Sequence, residues 1–366
     1  MWSPSKLFLA VACLAVGSRA ATVSTAPVVL YPNSTRLHKH GRWDLNNGTW
    51  WPGTGFKFVA SGLTNFTLHL GQYTNWPAIS VAVSFDYGEF STVNVSTGAN
   101  VISVPALTPN NNRVVRLNVE ASIGTRMQLE KIELNAGADV KHYKPSPLRF
   151  QFIGDSLSAG WLNPRGVNDA WTFLTAQKFK AEHNIIAQSG ACLTDRECWG
   201  NVHGMSYQYF QTEDTSYIWA ADHNYTTPWD FQRDLTPTHI VIVIGANDNS
   251  FSISGTDFAS QLSSFITHLR TLYPQQPVFV FTPWGWSDGT SQFWPYYDGV
   301  YASVVNAKVA AGDQNIFVVN TTGWLQTNGV YPNDGHPNPV GHQQILEKFT
   351  AWLQAWGLQP RTSWPS

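Results

Sequence analysis

Leu148-Arg149-Phe150-Gln151-Phe152-Ile153 runs directly into Gly154-Asp155-Ser156-Leu157. The first six residues read as a buried strand, and the four that follow as a turn delivering a serine at the strand's carboxyl end. Glycine permits such a turn, and a serine held on it is rigid, with its hydroxyl open to a cleft. Far downstream, Asp334-Gly335-His336-Pro337 closes the last loop. The two segments read as a split nucleophile and base, a hydroxyl and an imidazole 180 positions later that can take its proton.

Working outward from that strand, the chain after Lys144-Pro145-Ser146-Pro147 alternates continuous apolar runs with helical patterns, which predicts a parallel sheet covered on both faces. The strands are expected at Leu148 to Ile153, Ile185 to Ala187, His239 to Ile244, Val278 to Thr282 and Ile316 to Val319. A helix over 256–272 puts Phe258, Leu262, Phe265, Ile266, Leu269 and Leu272 on one stripe, with Thr256 as its cap. The last helix begins at Pro339 and lines up Ile345, Phe349, Trp352, Leu353 and Trp356. Both stripes are core. Upstream, from about Phe56 to Leu134, short runs of period two such as Ile79-Ser80-Val81-Ala82-Val83-Ser84-Phe85 alternate with turn residues, which predicts an all-β sandwich. The expected fold is therefore α/β, a C-terminal parallel sheet with helices on both faces preceded by a β-sandwich. The expected division is a signal peptide over 1–20, the sandwich over 21–145 and the α/β domain over 146–366, with the prolines at the boundary.

The 366 residues are 43% hydrophobic and 13% charged, enough apolar material for a sizeable core. A net charge of -2 leaves no basic footprint for nucleic acid or an anionic membrane surface. Lys6, the apolar stretch Leu7 to Val16, and Ser18-Arg19-Ala20 form a signal-peptide pattern, with the mature chain starting near Ala21. No later run approaches the roughly 18 apolar residues of a membrane span. A secreted, extracellular product is expected. Cys13 leaves with the signal, and an oxidising compartment would join Cys192 to Cys198 in one small loop. Glycosylation acceptors at Asn33, Asn47, Asn65, Asn94, Asn224 and Asn320 agree with that route.

Ester chemistry needs a nucleophile, a base, and donors aimed at the oxyanion that forms. A Gly-Asp-Ser-Leu string alone is weak, because a serine in a turn is more often a cap. Two further segments strengthen it. Gln188-Ser189-Gly190-Ala191 follows the second expected strand and Gly245-Ala246-Asn247-Asp248 the third, both at carboxyl ends of parallel strands, where open sheets place ligands. With Asp334-Gly335-His336 these make four blocks in order, and residues 148–356 resemble the SGNH hydrolase superfamily, also called GDSL esterases. The resemblance implies that Ser156 attacks, that His336 is the base, and that the N–H groups of Ser156 and Gly190 and the Asn247 amide form the oxyanion hole. Gly41-Arg42-Trp43 and Trp51-Pro52-Gly53-Thr54-Gly55-Phe56 extend the likeness to carbohydrate esterase family two. That resemblance implies a jelly-roll-like β domain before the SGNH domain, and removal of acetyl groups from plant polysaccharides or their fragments.

Most SGNH enzymes place the triad aspartate three residues before the histidine, whereas here Asp334 stands two before and Asn333 three before. Either Asp334 or a nearby backbone carbonyl orients His336. Trp161, Trp284 and Trp286 are candidate sugar platforms, since they follow the nucleophile or leave a central strand near the cleft mouth. His38 and His40 read as a solvated loop, His342 as a helix-start histidine, and Asp155 and Asp248 as partners of loop backbone rather than of substrate.

The sequence thus predicts a secreted serine esterase that removes O-acetyl groups from acetylated xylan, mannan or their oligosaccharides through an acyl-enzyme on Ser156. No metal or organic cofactor is expected, no nucleic-acid or membrane partner, and a monomer. A lipase or phospholipid esterase is the first rival, disfavoured because Trp161 to Asn168 and Trp284 to Tyr297 mix tryptophan with polar residues rather than forming an apolar flap. The second is a non-catalytic carbohydrate-binding protein, disfavoured because every expected catalytic position is filled.

Overall fold

The structure, a computed structural model, describes Met1 and residues 26–106, 112–215, 227–287 and 292–365. Residues 2–20 of the expected signal peptide and Asn224 lie outside the described residues.

Among the described residues, the N-terminal part carries ten strands: β1 (Val28–Leu30), β2 (His38–His40), β3 (Gly55–Ser61), β4 (Asn65–Leu70), β5 (Ile79–Phe85), β6 (Ser91–Val95), β7 (Gly98–Ser103), β8 (Arg113–Val119), β9 (Leu129–Leu134) and β10 (Asp139–Lys141). They form two antiparallel sheets, one in the order β1-β9-β4-β7 and the other β10-β3-β8-β5-β6, with β2 on β3. Period two is visible in β4, where Phe66, Leu68 and Leu70 are buried and Asn65 is exposed. Those three meet Phe56, Phe58, Val81, Val83, Val115 and Leu117 of the facing sheet in one core, so the expected sandwich is present. His38 and His40 lie on a strand rather than in a solvated loop, and His40 is buried.

Five strands follow among the described residues: β11 (Arg149–Gly154), β12 (Glu182–Ala187), β13 (His239–Val243), β14 (Val278–Phe281) and β15 (Ile316–Val319). All pairings are parallel, in the order β12-β11-β13-β14-β15. The helices are α1 (Ser156–Ala159), α2 (Trp171–Phe179), α3 (Met205–Gln208), α4 (Ala246–Ser250), α5 (Gly255–Leu272), α6 (Val300–Ala310) and α7 (Pro339–Trp356). Strand alternation sorts the core. Phe150, Phe152, Val241, Phe279 and Phe281 face α2 and α7, while Ile153, Ile186, Ile240, Ile242 and Val280 face α5 and α6. Both helical stripes face the core as expected, with Leu272, Trp352 and Trp356 half-buried at its margin, but the side chain capping α5 belongs to Ser254, which accepts from the Asp257 N–H, and not to Thr256. β12 starts three residues earlier than its apolar run, because Glu182 and His183 are buried against polar partners.

The two parts share an extensive seam. The buried Arg42 guanidinium donates to the carbonyls of Gln208 (3.3 Å), Tyr209 (2.6 Å) and Gln211, and the Trp51 indole donates to Thr212 O at 2.9 Å. Lys57 of β3 pairs with Glu182 of β12, whose other oxygen accepts from Tyr143 Oη at 2.8 Å and Ser146 N at 2.9 Å. At the chain's end Trp364 stacks on Tyr87, 4.6 Å between rings.

Candidate active site

The strand order reverses between the parallel neighbours β11 and β13, because β11 connects to β12 on one side and β13 to β14 on the other, and that crevice is where an open parallel sheet binds its ligand. Gly154 is in register with Ala187 of β12 and Val243 of β13, so the segments leaving these strands emerge together. Ser156, Gly190 and Asn247 are two, three and four residues beyond those positions. Gly154 is glycine for close approach: a Cβ there would lie 2.6 Å from Val243 O and 2.5 Å from Ser158 Oγ.

Ser156 opens α1, whose cap is Asp155, accepting from Leu157 N at 3.0 Å. Its hydroxyl donates to His336 Nε2 at 2.8 Å. The opposite ring nitrogen, Nδ1, donates to Asp334 Oδ1, which also accepts the His336 N–H at 3.2 Å. A carboxylate only accepts, so Nδ1 carries the proton and the Nε2 lone pair faces the serine. Asp334, two residues before the histidine rather than three, therefore reaches the imidazole. The loop is folded for this: Asn333 (φ +63°) and Gly335 (φ +84°) take left-handed backbone, and Tyr331 N donates to His336 O at 2.9 Å. Burial lowers the His336 pKa below its ordinary 6.5, opposed by its hydrogen bond and charge pairing with Asp334.

The Asn247 side chain donates to Ala191 O at 2.9 Å, which uses one of its two amide hydrogens. Asp248 accepts from Leu193 N at 2.7 Å and Thr194 N at 3.0 Å, so it binds loop backbone as expected and ties α4 to the segment carrying Gly190. Asp155 lies behind the nucleophile, its carboxyl pushed up to about 7 by burial and, secondarily, by the charge of Asp248. Cys192 and Cys198 are bonded, with Cα atoms 5.9 Å apart.

The three candidate platforms separate. Trp286 and Trp161 flank His336, with ring centroids 5.0 and 6.4 Å from the imidazole. Trp284 does not: it is buried in the core with Phe281 and Phe349, and the backbone turns between the two tryptophans at Gly285 (φ +92°). His342 is also internal, its Nδ1 accepting from Trp171 N at 3.2 Å, and burial pushes its pKa down to about 3. Residue reasoning missed Asn201, whose amide donates to Ser189 O at 3.0 Å, and Trp199, which packs on Gly190. A Trp-Gly-Asn string beside a cysteine was the available signal for a turn there. Asn33, Asn65, Asn94 and Asn320 are exposed and Asn47 is half-buried.

Residues 152–344, more than half the chain, match the GDSL-like lipase/acylhydrolase family. The chain belongs to that family. No curated protein matches this GDSL-like sequence. Among solved structures it is similar to a family two carbohydrate esterase from Cellvibrio japonicus, with a TM-score of 0.72 at 14% identity, covering 90% of this chain and 98% of that one. An acetyl xylan esterase, Est2A, from the rumen bacterium Butyrivibrio proteoclasticus gives 0.70 at 17%, covering 90% and 98%. A family two carbohydrate esterase from Clostridium thermocellum in complex with cellohexaose gives 0.65 at 20%, covering 90% and 99%. These likenesses extend over both parts of this GDSL-like chain, so the expected architecture of β domain followed by SGNH domain holds.

Proposed function

We propose that this chain is a secreted serine esterase that removes O-acetyl groups from carbohydrate, with acetylated xylan, mannan or their oligosaccharides as substrates. The observation that carries the reading is the 2.8 Å contact between Ser156 Oγ and His336 Nε2, with Asp334 on the opposite ring nitrogen. Neutral His336 takes the serine proton as Oγ attacks the acetyl carbonyl. The N–H groups of Ser156 and Gly190 and the second Asn247 amide hydrogen receive the oxyanion, and His336 returns the proton to the departing sugar oxygen. Water, deprotonated by the same imidazole, then releases acetate from Ser156. Solved relatives named as carbohydrate and acetyl xylan esterases, one holding cellohexaose, support the substrate class, and Trp161 and Trp286 beside His336 are suited to holding a sugar ring.

Acetate release from acetylated xylan and glucomannan, run beside a phospholipid, tests the proposal. Ser156→Ala and His336→Ala should each lower turnover on the order of 10³ or more. Release from phospholipid alone would favour the lipase reading, and sugar binding without release a non-catalytic one.

A further inference from the structure

We propose that Trp199 is the platform of a second sugar subsite, which gives the enzyme a preference for oligosaccharide over monosaccharide esters. The inference rests on the carbohydrate esterase reading above. Cys198-Trp199-Gly200-Asn201 is a two-residue hairpin closed by backbone hydrogen bonds of 3.0 and 2.9 Å between Cys198 and Asn201. Both central residues have positive φ, +48° at Trp199 and +80° at Gly200. Such turns favour Asn-Gly or Gly-Gly, because a β carbon is disfavoured in left-handed backbone. A large aromatic residue is kept there regardless, and 62% of its surface is exposed. Local strain spent on presenting an apolar ring to water points to a use for that ring.

The position indicates the use. A Cβ on Gly190 would lie 2.8 Å from the Trp199 Cβ, so Trp199 packs through its Cβ and backbone against the residue whose N–H is the proposed oxyanion donor. Trp161 and Trp286 flank His336, which protonates the leaving sugar oxygen, so the esterified ring belongs there. Trp199 is a separate exposed aromatic surface beside Gly190, the position proposed for the next ring of the same sugar chain. Its base is fixed by the Cys192–Cys198 disulfide, by Asn201 donating to Ser189 O, and by Phe251, which meets the indole at 89°. The rim is polar: Asp195, Arg196 and Glu197 of the same loop are exposed, which suits a hydroxyl-bearing ring better than an acyl tail.

The test compares Trp199→Asn with the wild type on acetylated xylotetraose, acetylated methyl xyloside and 4-nitrophenyl acetate. Asparagine suits the turn, so Tm should hold or rise. The expected result is a loss of about tenfold or more in kcat/KM on the tetraose, mostly in KM, with the other two substrates within about twofold. Trp199→Tyr should recover most of the loss. Unchanged activity on the tetraose overturns the proposal. An equal loss on all three substrates also overturns it, since Trp199 would then only brace the oxyanion segment, and so does a loss confined to long-chain 4-nitrophenyl esters. If the wild type cleaves 4-nitrophenyl acetate but releases no acetate from either sugar, the parent reading fails first, and the inference with it.

Discussion

At the scale of single residues, the site turns on which hydrogen sits where. Asn247 has two amide hydrogens, and the one donated to Ala191 O fixes the group so that the other is held in place without reorganisation during reaction. Asn247→Ala should therefore lower turnover on the order of 10², less than loss of Ser156, because the backbone donors remain. Initial rates at saturating substrate check this, and an unchanged rate removes Asn247 from the oxyanion hole. His336 must be neutral at Nε2 to accept the serine proton. Burial lowers its pKa below 6.5 and Asp334 only partly opposes that, so kcat/KM should rise with pH through a midpoint below 6.5 and level off above it. A midpoint well above 6.5, or a flat profile from pH 4 to 8, contradicts His336 as base.

At the scale of elements, α7 holds the loop that carries the histidine. It begins three residues beyond His336, capped by Asn338, which accepts from Gly341 N at 3.1 Å, and its row Ile345, Phe349 and Leu353 is fully buried. Phe349 packs against Phe281 and Trp171, with ring centroids 4.9 and 5.8 Å away. Phe349→Ala should cost about 3–5 kcal/mol, read as a fall in urea midpoint, since the aromatic neighbours cannot close on the cavity. A loss under about 1 kcal/mol would mean that α7 is not anchored there. This stripe was legible in the sequence, as were the five strands and the four segments that meet at the candidate site, because each is a contiguous pattern. Asp334 was legible only as a candidate, since whether a carboxylate two residues before a histidine reaches its ring depends on the left-handed backbone at Asn333 and Gly335. Trp284 and Trp286 look alike in sequence, yet the folded loop puts one in the core and the other beside the imidazole. Trp199 was not legible, because its relation to Gly190 arises only when the disulfide loop folds back on the oxyanion segment.

At the scale of the whole molecule, the β domain and the hydrolase sheet meet through buried ionisable groups, which couples their union to pH. Burial disfavours the Glu182 charge, yet Lys57 and then His38 hold its carboxyl well below the usual range. Its contribution is present above the unfolded carboxylate value of 4.5 and is lost as pH falls through the folded one. His183, on the same strand, is pushed down to about 3 by burial, and then by the neighbouring Lys57. Its Nε2–H donates to Gly53 O across the seam at 3.2 Å, and its ring meets buried His40, whose pKa burial also lowers well below 6.5. A histidine kept neutral when folded but free to protonate when unfolded contributes stability that is complete above 6.5 and lost as pH falls toward its folded value. The wild type should therefore weaken between pH 6.5 and 4.5, before the carboxylates protonate. His183→Gln keeps a donor for Gly53 O but cannot charge, so its stability should fall less steeply over that window, by up to about 1.4 kcal/mol per pH unit. Urea midpoints at pH 4, 5, 6 and 7 for both proteins measure the difference. Parallel pH dependences would show that His183 takes no part in the acid sensitivity of the seam.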